Sequence, residues 1–171
     1  MVAQGGTVVS VVGGDIATIK ADALITAINS GGLWLGGIDG VIQRCAGGMF
    51  HCEASRFKLV DGMALVAYAT GQHSGMFKDV VFVVDDLHKP LRDIVAAGLK
   101  KADKAKFKSV TLPTIRMGVM LGAVEKDAAE AAREMAVGIQ SVLGTFQNIE
   151  TVTIVVYNDS AVERLLTELV A

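Results

Sequence analysis

The chain has 171 residues, 51% of them apolar and 20% charged, with a formal net charge of −2. That length suits one domain with a buried core, and the balance is that of a folded globular chain rather than a disordered one. The slight acidity offers no general attraction to nucleic acid or anionic lipid, and two cysteines, Cys45 and Cys52, do not make a disulfide framework.

No charged N-terminal region leads into an apolar run, and no stretch approaches about 18 uninterrupted apolar residues. The sequence therefore predicts no signal peptide and no membrane span, and a cytoplasmic protein. Aromatics are scarce, so Val, Ala and Ile must fill the core. TVVSVV (Thr7 to Val12) is β-branched and predicts a strand, closed by the turn chemistry of Gly13-Gly14-Asp15. DALITAI (Asp22 to Ile28) is a second strand, whose nearly continuous apolar character predicts burial on both faces. It runs into Asn29 to Gly47, NSGGLWLGGIDGVIQRCAG. Seven of the 19 glycines lie in or next to this stretch when Gly48 is counted. Ile38, Val41, Ile42 and Cys45 stand at helical spacing, with Asp39 in the first turn.

Met49 to Asp61 gives no clear pattern. Ala64 to Thr70 and Asp79 to Asp85 are strands joined by the turn-rich GQHSG. Pro90 opens a helix whose buried stripe is Leu91, Ile94, Val95, Leu99 and Ala102. Lysines 100, 101, 104, 106 and 108 at its end read as a solvated face favoured by the helix dipole. Phe107 to Pro113 is a strand ending in the loop TIRMGVMLGA. Val124 to Phe146 is a long helix in which Gly138 is a weak point. Thr151 to Tyr157 is the last strand, and Ser160 to Glu163 has the form of a capping box. The alternation predicts an α/β fold with right-handed crossovers and helices on both faces of a mixed sheet.

The chemistry points to loops. No GxxxxGK[ST] occurs, no GxGxxG follows a strand, and HExxH is missing. There is no G-x-S-x-G elbow. His51, His73 and His88 are scattered, so no metal site and no cofactor are expected. Cys45, on its helix's apolar stripe, reads as a small buried hydrophobe. What remains are glycine-lined loops after strands, able to hold a diphosphate through backbone N–H groups and a helix start. In such sheets the ligand lies beyond the strands' carboxyl ends.

GDI at Gly14 to Ile16, DALITAINS at Asp22 to Ser30 and GGIDGVIQRCAG at Gly36 to Gly47 together resemble the signature of the macrodomain family, whose members bind ADP-ribose. TLPTIRMGV at Thr111 to Val119 resembles that family's second phosphate loop. The element order is similar to the family's three-layer α/β/α sandwich with a mixed, mostly parallel central sheet. The resemblance spans nearly the whole chain and implies one macrodomain-like domain over 1–171. It implies that Asp15 accepts from the adenine amino group, with the Ile16 backbone beside it. It places Asn29 at the distal ribose, and Gly36, Gly37 and Ile38 around the diphosphate and that ribose. Asp39 matches the aspartate that several macrodomain hydrolases use. Gly118 and Val119, with Arg116, Met117 and Met120 around them, would form the second phosphate loop, and Tyr157 would lie near the adenine.

Taken alone, the residues leave alternatives. Asp15 and Asn29 are also ordinary turn residues, Asp39 an ordinary first-turn carboxylate, and Tyr157 either stacks on a purine or ends a strand in the core. The resemblance implies hydrolysis of an ADP-ribosyl bond, in protein mono-ADP-ribose or O-acetyl-ADP-ribose, with Asn29 and Asp39 catalytic. The alternative is a non-catalytic reader of ADP-ribose or another nucleotide. Partners would be ADP-ribose or an ADP-ribosylated protein or metabolite. The chain departs from the family at Thr26, at Trp34-Leu35, and at Arg116, Met117, Met120, Leu121 and Ala123. Arg116 either pairs with a phosphate or fills the site.

Overall fold

The computed structural model describes residues 6–32 and 37–171. Six strands form one sheet in the order β1-β6-β5-β2-β4-β3. They are β1 (Val8–Gly13), β2 (Ala21–Ile28), β3 (Ala64–Ala67), β4 (Phe77–Val84), β5 (Ser109–Pro113) and β6 (Thr151–Val156). All pairings are parallel except β3 with β4, which the short connection between them forces to be antiparallel. The sheet is mixed and mostly parallel.

The helices divide between the two faces. A one-turn 3-10 helix (Ile16–Thr18), α1 (Ile38–Ala46) and α2 (Met49–Ala54) cover one face. The other is covered by α3 (Leu91–Lys104), α4 (Ala128–Leu143) and α5 (Ser160–Val170). Strand β2 shows why its sequence is apolar throughout. Ala23, Ile25 and Ala27 enter the core under α3 and α4, while Leu24 and Ile28 enter the core under α1 and α2. With side chains alternating at period two, burial on both faces removes any polar alternation.

Several element boundaries differ from the sequence reading: β3 ends at Ala67, β4 begins at Phe77, β5 begins at Ser109 and α4 ends at Leu143. The patternless stretch after Gly48 contains α2, whose Phe50 and Ala54 are buried. Helix α4 begins at Ala128 rather than Val124, because Asp127 takes the N-cap and accepts from the Glu130 N–H at 2.8 Å. The N-cap of α5 is Asp159, not Ser160, since its carboxylate accepts from the Val162 N–H at 3.1 Å. No helix among the described residues is long and apolar enough to cross a membrane.

Parallel strands put their carboxyl ends on one side of the sheet. β2 leads to α1 on one face, and its neighbour β5 leads to α4 on the other. The chain therefore leaves adjacent strands in opposite directions, which opens a crevice there.

Candidate functional site

A cavity of about 440 Å³ occupies that crevice, within the usual range for a small-molecule site of about 300–1,000 Å³. Its described lining comes from the carboxyl end of every parallel strand. Gly14 to Ile16 follow β1, Thr26 and Ala27 lie on β2, Asp85 follows β4, Pro113 to Gly118 end β5 and leave it, and Val155 and Tyr157 come from β6. Helix α1 adds Ile38, Val41 and Arg44, preceded by Gly37.

At one end, Asp15 caps the 3-10 helix. Its Oδ1 accepts from the Ala17 N–H at 2.9 Å, and Ile16 beside it is buried. Tyr157 is 76% exposed and lines the cavity, so it is not a core residue ending its strand. Gly37, also in the lining, opens α1 without any side-chain cap. Among the described residues no side chain caps the first N–H groups of α1, and with the positive dipole end they suit an anion. Gly118 lies on the facing loop. A Cβ at Gly37 or Gly118 would meet no atom within 4 Å, so both glycines border open space.

Arg116 lines the cavity, but its side chain is only 1% exposed and its guanidinium is fully engaged. Nε and Nη2 donate to the two oxygens of Asp85, at 2.9 and 2.7 Å. Nη1 donates to Glu125 at 3.0 and 3.1 Å, and Nη2 also to the Lys89 carbonyl at 2.8 Å. Glu125 in turn accepts from the Leu91 N–H that starts α3. A bidentate bond from Arg116 to a ligand phosphate would require breaking this cluster, so the guanidinium is a buried tie between loops. Burial draws the Arg116 pKa down, but Asp85 and then Glu125 outweigh it, and the net shift is upward. Neither carboxylate stood out in the sequence. An arginine in a glycine loop was the only signal that acidic partners were needed.

Asn29 and Asp39 are not among the described lining residues. Oδ1 of Asn29 accepts from the Gly31 N–H at 3.0 Å, which closes a turn at the end of β2. Asp39 sits in the first turn of α1. Its Oδ1 is 3.4 Å from Nε2 of His51, within ionic reach but without hydrogen-bond geometry. His51 stacks on Phe82, with ring centroids 6.4 Å apart. Burial lowers the His51 pKa, and Asp39 opposes that shift. Met117 lines the cavity, whereas Val119 and Met120 are not among the described lining residues, and Val119 is 82% exposed. Gly36, Trp34 and Leu35 lie outside the described residues. Arg44, which the sequence reading passed over, lines the cavity. Cys45 is half-buried and packs against the core under α1 and α2. Among the described residues no three His, Cys, Asp or Glu side chains are placed to hold a metal ion.

A family model described as Macro domain matches residues 25–132. An uncharacterized protein of Pyrobaculum aerophilum is 28% identical over 170 residues, which cover 95% of this chain and 91% of that protein. The ADP-ribose glycohydrolase MACROD1 of Mus musculus is 29% identical over 139 residues, covering 71% of this chain and 40% of that protein. Among solved structures, the Trypanosoma brucei macrodomain in complex with ADP-ribose superposes with a TM-score of 0.76 at 19% identity. That match covers 95% of this chain and 69% of the other, and at such identity it speaks for the fold.

Proposed function

The chain belongs to the Macro domain family, and from that premise we propose that its cavity binds ADP-ribose, free or carried on a protein or metabolite. One observation carries the reading. A single cavity joins Asp15, Ile16 and Tyr157 at one end to the uncapped start of α1 and the Met117-Gly118 loop. The first group supplies an acceptor and an aromatic face suited to adenine. The second supplies backbone N–H groups suited to a diphosphate. Calorimetric titration tests it: ADP-ribose should bind at micromolar concentration, and absence of both heat and thermal shift in excess ligand would sink the reading.

The catalytic part of the proposal is hydrolysis of an ADP-ribosyl bond. Asn29 would hold the distal ribose, and Asp39 would act as general base or orient the water. Its support is the position of Asp39 in the first turn of α1, directly after cavity-lining Gly37 and Ile38. A second reading, a non-catalytic reader, is favoured by a different observation. Asn29 is engaged in its own turn, and Asp39 directs Oδ1 at His51. Release of ADP-ribose from a modified protein separates them. A hydrolase loses its rate in Asp39→Ala, whereas a reader shows the same background rate in both proteins.

A further inference from the structure

We propose that Arg44 is the cation that receives the ligand's diphosphate, and that Gly40 is the gap that lets it reach the site. This rests on the ADP-ribose reading and narrows it, since it assigns the charged part of the ligand to a residue on α1.

Two arginines line the cavity. Arg116 is withdrawn from it, with every nitrogen of its guanidinium bonded to Asp85, Glu125 or the Lys89 carbonyl. Arg44 is exposed, and among the described residues its head group has no ion-pair partner. The remaining charged side chains of the described lining are acidic. Asp15 and Asp159 each accept from a backbone N–H at a helix start, and Asp85 is paired with Arg116. Arg44 is therefore the one lining cation, among the described residues, with donors to offer.

Its direction follows from the helix. Side chains on a helix lean toward the N-terminus and over the residue one turn back. For Arg44 that residue is Gly40, and Nη1 lies 3.3 Å from the point a Cβ on Gly40 would occupy. The guanidinium thus lies back along α1, toward the Gly37-Ile38 turn that opens the helix and lines the same cavity. A longer side chain at position 40 would occupy its path. The uncapped N–H groups of α1 and the planar donor set of Arg44 are complementary to adjacent phosphate oxygens. The ligand class is a nucleoside diphosphate.

The experiment is calorimetric titration of wild type, Arg44→Gln, Arg44→Lys and Gly40→Leu with ADP-ribose, ADP, adenosine and inorganic pyrophosphate. Arg44→Gln should weaken ADP and ADP-ribose about tenfold, as expected for one charge-assisted contact. It should leave adenosine unchanged and flatten the salt dependence. Lysine should restore part of the loss, and Gly40→Leu should reproduce it. An ADP-to-adenosine affinity ratio equal in wild type and Arg44→Gln overturns the proposal and leaves the ADP-ribose reading standing. If wild type binds no nucleotide, that reading fails. Arg44 then keeps its role if pyrophosphate binds wild type and not Arg44→Gln, and loses it if pyrophosphate binds both or neither.

Discussion

Arg116 ties two loops at the cavity: the connection from β4 to α3, through Asp85 and the Lys89 carbonyl, and its own connection from β5 to α4, through Glu125, which also accepts from the Leu91 N–H. Its backbone is left-handed, with φ of 62°, a strain that this bonding offsets. Arg116→Ala should cost about 3–5 kcal/mol of unfolding free energy, because it strands two buried carboxylates without their cation. Urea unfolding measures this, and a loss under about 1 kcal/mol, the level of a surface pair, would show that the cluster is not a tie. The sequence showed Arg116 as a departure from the family pattern but not its purpose. Its partners stand 31 and 9 positions away, and no local periodicity links them. A second residue-scale prediction concerns His51. Burial lowers its folded pKa, so the unfolded chain takes up the proton first as pH falls. Stability is therefore full above about 6.5, the ordinary histidine value, and declines below it. The urea midpoint of wild type should fall more steeply between pH 7 and 5 than that of His51→Gln, and equal slopes would refute this linkage.

Among the elements, α3 and α4 pack most closely through glycine. A Cβ at Gly138 would stand 2.6 Å from the Arg92 carbonyl oxygen and 3.0 Å from the Val95 Cβ. The sequence marks Gly138 as a helix weakness worth about 1 kcal/mol against alanine, but in the structure it is the point of helix contact. Gly138→Ala gains that intrinsic propensity and meets backbone, which cannot move aside as a flexible side chain would. Overpacking of this kind costs about 1–3 kcal/mol, so the net effect should be destabilising, lowering Tm by a few degrees. A raised Tm in a thermal melt would mean that the two helices separate more freely than their packing indicates. Helix existence was legible because Leu91, Ile94, Val95 and Leu99, and Ala131, Met135, Ile139 and Val142, keep the 3.6 period and are buried. Helix starts were less legible. Asp127 and Asp159 cap one position before the expected motif or within the expected helix, and the choice among neighbouring polar residues depends on backbone direction that the sequence does not state.

At the scale of the molecule, alternation of strands and helices made the layers legible, but not the order β1-β6-β5-β2-β4-β3. That order brings the ends of β1, β2, β5 and β6 to one crevice, and it makes one site of loops that the sequence keeps separate. The cavity draws Ile38 and Val41 from the side of α1, and Ile115 and Val162 from the side of α4 and α5. A ligand seated there touches both layers and binds only the folded chain. At 100 times its Kd, ADP-ribose should therefore add about 2.7 kcal/mol of stability, or roughly 5–10 °C in Tm for a chain of this size. The gain should be local in origin. Hydrogen exchange should slow first at Ile16, at Gly37 to Val41 and at Met117-Gly118, the backbone bordering the cavity. The lysine-bearing end of α3, on the far side of the sheet's strand ends, should be unaffected at exchange times short enough to report local opening. Protection centred on Lys100 to Lys108 would instead place the ligand on the basic surface, and a thermal gain without protection at α1 would remove the cavity from the account of binding.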